Sequence, residues 1–492
     1  MLHCSIFVSY QSFTHLNRTF LINVLFLIGI NVLIKPFYLF GIDRVVQNTV
    51  GAEVYGLYAA VINFTFLLQI ISDFGIQSYN NKNIAQHRNL LGKYFPNIII
   101  LKVILAGLYV LVLFPAAWLL QYEWSIFPMI LAVGINQILI SLLFYMRSNV
   151  SGLGFYRTDS LLSALEKLLM ILVCGILLYV PAFKENFRIE WFIYAQMGAL
   201  LIATLTAYLI VRKHLPKIKW RYNPLYLRII LRDSYPYALV IFLMTFYTKI
   251  DVVMIERMLS DGRSEAGIYV SGYRLLDAVN MTGFLFASLL LPMFSRMLKL
   301  GESIKPLFKL SFLLIWSISI AVAANVWFFR NEISSLLYID STPYWGTVLG
   351  SLMLTYVAVS GIYISSTLIT AEGQLKQMNG IFVAGIVINV ILNFFLINQD
   401  GALGAAVATI ITQSFVLLSQ MILIRTLFKF KVNKKLTLSV LSYTLLVIMV
   451  AWKFYSFSDV IWQWRFVGSG GIAILLAIGC GMIQPRELKT LK

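Results

Sequence analysis

Between Val54 and Ile76 the chain reads Val-Tyr-Gly-Leu-Tyr-Ala-Ala-Val-Ile-Asn-Phe-Thr-Phe-Leu-Leu-Gln-Ile-Ile-Ser-Asp-Phe-Gly-Ile, with Asp73 its only charge. A helix crossing the hydrocarbon core of a bilayer needs about 20 such residues, so this stretch predicts a membrane span. Working outward with a window of about 19 residues, the pattern recurs over Phe20 to Ile42, Tyr94 to Trp118, Trp124 to Met146, Ser160 to Pro181, Trp191 to Val211, Tyr235 to Ile255 and Gly267 to Leu291. It continues over Pro306 to Phe329, Thr347 to Thr370, Met378 to Ile397, Ala402 to Ile424, Leu436 to Trp452 and Phe466 to Ile483, which makes fourteen candidate spans. Of 492 residues 60% are hydrophobic and 12% charged, with mean hydropathy +0.82. A soluble domain is about half apolar and a quarter charged, so the expected fold is an all-α polytopic membrane protein with no large soluble domain.

The net charge of +18 is explained by its placement. Lys and Arg concentrate in cytoplasmic connections. Assigning connections alternately to the two sides puts 26 of these cations on one side and 8 on the other. Both termini are thereby expected in the cytoplasm, and nucleic acid is not needed to account for the charge. Cys4, Cys174 and Cys480 are too far apart for a disulfide framework or a zinc spacing, and His3, His15, His87 and His214 are equally scattered. No metal or cofactor is expected. The apolar stretch Ile6 to Val8 is too short for a cleavable signal, so the run from Phe20 is taken as an uncleaved first span.

An internal repeat is visible. Glu53-Val-Tyr-Gly56-Leu-Tyr58 opens the second span and Glu265-Ala-Gly267-Ile-Tyr269 the eighth; Gly154-Phe-Tyr-Arg157 opens the fifth and Gly373-Gln-Leu-Lys376 the eleventh, at nearly the same offset. The expected organisation is a cytoplasmic N-terminus over 1–19, a six-helix lobe over 20–211, a basic cytoplasmic linker over 212–234, a second six-helix lobe over 235–424, and two further helices with a tail over 425–492. An even number of helices per half makes the repeats parallel, related by a pseudo-twofold axis along the membrane normal.

Gly51-Ala-Glu-Val-Tyr-Gly-Leu-Tyr58 followed by Ser72-Asp-Phe-Gly-Ile76, the Ala371-Glu-Gly373 turn, and Asn389 and Asn393 followed by Gly401-Ala-Leu-Gly-Ala-Ala-Val-Ala-Thr409 carry a family resemblance. With these residues the chain resembles the Wzx-type polysaccharide biosynthesis flippases of the multidrug/oligosaccharidyl-lipid/polysaccharide exporter superfamily, over roughly Phe20 to Arg425. The early motif points to the polysaccharide branch; the late one is shared with multidrug relatives. The resemblance implies two six-helix lobes around a V-shaped cavity and alternating access. It also implies movement of an undecaprenyl-diphosphate-linked oligosaccharide to the outer leaflet of a bacterial inner membrane for O-antigen or capsule assembly, with polysaccharide polymerase and chain-length proteins as partners. No substrate-contact motif transfers residue by residue in so divergent a family, which leaves the sites to physical argument.

Five cations fall beyond the first turn of a span: Lys35, Lys102, Lys167, Lys249 and Arg274. A charge near the bilayer centre costs about 2.5 to 3.5 kcal/mol on insertion scales, so it faces a cavity or a partner. Lys102 and Lys167 lie about 10 to 12 Å from the cytoplasmic ends of their spans, within reach of snorkelling. Glu166 beside Lys167 is expected to point elsewhere. Lys35 and Lys249 are deeper, about 20 Å up the first span of each half, and Pro36 would let the first helix bend by freeing the carbonyl of Val32. Arg274 enters from the outer side to a similar depth, with Asp277 at the i+3 spacing of an intrahelical pair. Lys35, Lys249 and Arg274 are therefore candidates for one diphosphate-binding level, because Lys meets phosphate as a point charge and Arg in bidentate fashion. The bland alternative is that each is a structural charge with its own partner.

Tyr55, Tyr58, Gln69 and Asp73 form a stripe on the second span, suited either to a sugar-lined wall or to ordinary packing. Asn389 and Asn393 are expected to bond a neighbouring helix. Asp277, Asp251 and Asp73 are the candidate coupling acids, Asp277 first because Arg274 is close. The leading function is a non-enzymatic flippase with a cationic central cavity. A cation-coupled multidrug exporter would favour acidic cavity residues. A polytopic polysaccharide polymerase or ligase would need a larger outer loop than Ala182 to Glu190 or Arg330 to Tyr344.

Overall fold

A computed structural model describes residues 29, 33–86, 91–215, 224–430, 434–457 and 459–482. The expected N-terminal segment, most of the first span, Lys217, Lys219 and Arg221 of the linker and the C-terminal tail lie outside the described residues. Among the described residues every regular element is a helix. We number them α1 (residues 33–50), α2 (Ala52–Asp73), α3 (Ile76–Gln86), α4 (Leu91–Leu119), α5 (Phe127–Gly152), α6 (Tyr156–Tyr179), α7 (Ile189–Lys213), α8 (Pro224–Met258) and α9 (Gly262–Leu300). They continue as α10 (Lys305–Phe328), α11 (Arg330–Leu337), α12 (Pro343–Ala371), α13 (Leu375–Phe428), α14 (Lys434–Ser456) and α15 (Trp462–Gly479). Eleven helices among the described residues are long and apolar enough to cross a membrane. The protein is a multi-pass membrane protein.

Most helices overrun the apolar windows at one end or both, because polar residues that no longer count as hydrophobic still extend a helix into the interface. The largest overrun is α8, which begins at Pro224 rather than near Tyr235, so the second half of the expected linker is helical. Proline at the first helical position suits that start, since its missing N–H has no partner there anyway. Pro36 lies within α1, and a wider π-helical turn follows at Leu39–Asp43; Val32 is outside the described residues.

α13 contains two of the expected spans. They are separated at Gly401, whose φ of 58° and ψ of −131° belong to a backbone region that a side chain disfavours. The Glu265 carboxylate at the start of α9 accepts the Ala402 N–H at 2.7 Å and the Tyr344 hydroxyl at 2.6 Å. One of the orphan donors created by the break is thereby satisfied.

The chain divides into two compact units. One comprises residues 1–50 and 61–242; the other comprises 51–60 and 243–492. In the first unit α5 is the hub, packed against α3, α4, α6 and α7. Its interhelical bonds replace the water that a bilayer lacks: Asn136 donates to the Ile193 carbonyl at 3.2 Å, and Asn80 to Ser148 at 2.8 Å. In the second unit α12 is the hub, packed against α9, α10, α11 and α13, while α14 and α15 pack on each other and on α10. Large apolar side chains such as Leu111, Leu172, Ile176, Leu418, Ile422 and Leu475 remain on the outside, as lipid contact requires.

Candidate functional site: buried charge in each unit

Lys102 is 2% exposed and not a snorkelling lysine. α4 starts at Leu91, which puts Lys102 about 16 Å along the helix at 1.5 Å per residue, beyond its own reach to the interface. Its Nζ instead donates to Asp73 Oδ1 at 2.6 Å, to Ser141 Oγ at 2.7 Å and to the Ser72 carbonyl at 3.3 Å. Ser141 also donates to the Ser72 carbonyl at 3.0 Å. Asp73, one of the three candidate coupling acids, is thus held in an ion pair with a buried lysine at the C-terminal end of α2.

Lys35 is half-buried on α1. One turn on, the Tyr38 ring lies under Lys167 Nζ, 4.4 Å from its centroid. Lys167 also bonds Glu166 at 2.9 Å, contrary to the expectation that these neighbours diverge. Their Cβ atoms do point apart on a helix, but two long side chains can curl back toward each other.

In the second unit, Gly56 and Gly267 mark where backbones touch. A Cβ on Gly56 would overlap the Arg263 carbonyl and the Gly267 amide; one on Gly267 would overlap the Ala52 carbonyl. The two copies of the repeated sequence therefore pack on each other, and glycine at both positions permits the approach. Tyr55 and Tyr58 are buried, with ring centroids 5.6 Å apart. Arg274, 3% exposed, lies over the Tyr55 ring at 4.8 Å. Its guanidinium donates to the Tyr338 hydroxyl at 2.9 Å, and that hydroxyl donates to the Ser271 carbonyl at 3.0 Å. Arg274 and Tyr55 are thus brought together, whereas Gln69, from the same stripe as Tyr55, is buried in the first unit.

Asp251 is fully buried. Its Oδ2 accepts the Tyr269 hydroxyl and the Thr409 hydroxyl, each at 2.8 Å, and its Oδ1 accepts Asn393 Nδ2 at 2.6 Å. Asn393 also donates to Asn389 at 3.2 Å, and Thr409 donates to the Ala405 carbonyl at 2.9 Å. A carboxylate on α8 is thereby surrounded by neutral groups from α9 and both legs of α13. Among the described residues no cation lies within ion-pair distance of it. Lys249, two residues away, lies over the Tyr273 ring at 5.4 Å. Asp277 is exposed. Of the three candidate coupling acids, Asp251 is the one fully buried.

The model of the family described as polysaccharide biosynthesis protein matches residues 20–298. The chain belongs to the polysaccharide biosynthesis protein family. The part that matches this family holds Lys35, Tyr55, Tyr58, Gln69, Asp73, Lys249, Asp251, Arg274 and Asp277; Asn389, Asn393 and Thr409 lie beyond it. Among curated proteins, no sequence relative is found. Among solved structures, the fold is similar to the lipid II flippase MurJ in an inward closed conformation, with TM-score 0.73 and 15% identity over 96% of this chain and 99% of that one. It is also similar to an inward-facing multidrug resistance MATE transporter of the MOP superfamily, with TM-score 0.61 and 14% identity over 80% of this chain and 94% of that one. A MOP superfamily transporter from Pyrococcus furiosus matches with TM-score 0.53 and 14% identity over 83% and 94% of the two chains. This family member therefore has the MurJ and MATE fold.

The partners of Asp251 were not singled out as such by sequence reasoning. Tyr269 stands in the repeated motif and Thr409 closes the late motif, so both were visible as residues, but their convergence on one carboxylate depends on helix rotation.

Proposed function

We propose that this protein is a flippase that moves undecaprenyl-diphosphate-linked oligosaccharide from the cytoplasmic to the outer leaflet of a bacterial inner membrane, for O-antigen or capsule assembly, by alternating access. The observation that carries the reading is the combination of family membership with cations retained inside the spans: Lys35, Lys249 and Arg274 supply positive charge where an anionic head group would cross. Tyr55, Tyr58 and Gln69 are assigned to the same path. The sugar head passes inside the protein while the polyprenyl tail stays in lipid, because immersing the tail in a polar cavity would forfeit its apolar burial. Both termini are cytoplasmic, and a polysaccharide polymerase and chain-length proteins take over the product.

Asp251 is the coupling residue in this reading. Its buried carboxylate takes up a proton or a monovalent cation in exchange for leaving water, and that uptake resets the carrier. The same cage, together with the likeness to MATE transporters, favours a second reading as a cation-coupled exporter of small molecules. Deleting the protein separates the two. Accumulation of a lipid-linked oligosaccharide on the cytoplasmic leaflet supports the flippase; normal lipid-linked pools with heightened drug sensitivity would replace it with the exporter.

A further inference from the structure

Three cations of the first unit, Arg147, Lys35 and Lys167, fall at neighbouring levels, and only Lys35 belongs to the anion-binding set proposed above. Arg147 lies near the end of α5, about 8 Å from Gly152 by helical rise, and Lys167 about 16 Å into α6 from Tyr156. The short turn of residues 153–155 joins those two ends, so both heights are measured from the same level. α1 runs in the same direction as α6: Tyr38 lies under Lys167, and farther along both helices Tyr179 donates to the Gly41 carbonyl at 3.1 Å. Lys35, one turn before Tyr38, therefore falls between the levels of Arg147 and Lys167, and its charge interacts with both, as well as with Glu166.

The two outer cations of the row carry their own carboxylates. Arg147 Nε bonds Asp159 Oδ1 at 2.8 Å, with the side chains 19% and 17% exposed, and Lys167 bonds Glu166 with 24% and 15% exposed. Among the described residues no carboxylate lies within ion-pair distance of Lys35. Three cations and two acids thus leave one net positive charge, centred on the middle of the row. The cations of the flanking pairs are partly exposed, unlike Lys102 at 1%.

We infer that Arg147, Lys35 and Lys167 form a single diphosphate-binding row in which Glu166 and Asp159 are displaceable counter-ions that set its affinity. One phosphate engages Lys35, which has no carboxylate to give up. The second engages Lys167 or Arg147 after that residue releases its acid. Lys167 keeps the Tyr38 ring beneath it throughout, so it is not left without a partner when Glu166 departs. The inference deepens the flippase reading and rests on it for the diphosphate. It assigns Arg147 and Lys167 as specificity-determining residues and gives Glu166 an inhibitory sign.

The test is calorimetric binding of inorganic diphosphate to the full purified chain, with phosphatidylglycerol vesicles as a competing arm. Lys35→Gln should weaken binding by about tenfold or more, and Lys35→Arg should restore most of it. Lys167→Gln and Arg147→Gln should each weaken it by a few fold. Glu166→Gln should tighten it by about threefold to fivefold, the worth of a partly exposed pair, and the gain should vanish in the double variant with Lys167→Gln. Thermal unfolding of each variant separates lost binding from lost folding. Unchanged or weaker binding by Glu166→Gln, or a gain that persists without Lys167, would overturn the row while leaving the flippase reading intact. No diphosphate binding by the wild-type chain would overturn both. Displacement of diphosphate by phosphatidylglycerol at equal concentration would reassign the row to lipid head groups and likewise overturn it.

Discussion

Replacing Asp73 by Asn tests whether the buried pair on α2 and α4 is structural. Lys102 Nζ and Asp73 Oδ1 are 2.6 Å apart, with side chains 1% and 15% exposed. At an effective dielectric constant of about 20 the gross attraction at that separation is about 6 kcal/mol. Much of this returns the cost of taking both charges out of water. Asp73→Asn leaves Lys102 charged in the interior with only Ser141 and the Ser72 carbonyl. The loss falls near the lower end of the range for breaking a buried pair, about 3 kcal/mol, because the Asp73 side of the pair is only partly buried. Lys102→Met should cost about 2 kcal/mol, since the partly exposed Asp73 can rehydrate. The double variant removes both charges and should lose only about 1 to 2 kcal/mol, giving a coupling energy of about 3 kcal/mol. Equilibrium unfolding in mixed micelles measures all three variants. Transport then discriminates roles: a structural Asp73 predicts that the double variant regains export lost in the single ones. Additive stability losses, or a stable double variant that remains inactive, would refute the structural assignment and return Asp73 to the coupling acids.

Asp251→Asn should leave diphosphate-lipid binding intact and abolish the dependence of transport on an ion gradient, whereas Asp277→Asn should retain it; proteoliposome flux with imposed proton or sodium gradients checks both. Gly56→Ala should destabilise the chain by about 1 to 3 kcal/mol through backbone overlap with Arg263, while Gly107→Ala, where a Cβ meets nothing within 4 Å, should be neutral or stabilising; equal melting temperatures for the two variants would contradict the close approach. Single cysteines within Ala182 to Glu190 and Asp261 to Glu265 should react with impermeant thiol reagents from the outer side of intact cells, and labelling only after lysis would invert the topology.

The membrane architecture was legible because the bilayer imposes a one-dimensional rule. A run of about 20 apolar residues must become a helix, since no other segment satisfies its own backbone in lipid. The windows around Val54, Tyr94 or Thr347 therefore land on α2, α4 and α12 with only their ends displaced. Hydropathy carries less information where the chain leaves the core: Pro224 to Arg232 reads as a basic linker by charge, yet it is the start of α8. The glycines of the repeat were visible as a pattern. That they are the contact itself, Gly56 on Arg263 and Gly267 on Ala52, is a statement about two backbones that no single segment contains.

The charged residues divide along the same line. Depth along a helix follows from counting, and counting identified the five cations that lie beyond the first turn of a span. Which neighbour a side chain meets depends on the rotation of the helix, about 100° per residue, and an uncertainty of one residue in a span end leaves depth nearly unchanged while turning the side chain away. Arg274 and Asp277 were ranked together on sequence spacing, but the first is buried against Tyr55 and Tyr338 and the second is exposed. Asp251 stands behind Asp277 in the sequence reading because Arg274 lies close to Asp277, whereas Lys249, two positions from Asp251, falls on another face and lies over Tyr273. That divergence is what gives Asp251 its distinct chemistry. A lysine on the same face would form an ion pair with the carboxylate, whereas Tyr269, Asn393 and Thr409 give it hydrogen bonds alone. Under the proposed coupling role of Asp251, the helices that must shift for ion uptake to be felt elsewhere in the unit are those that hold it: α8, α9 and the two legs of α13 that meet at Gly401.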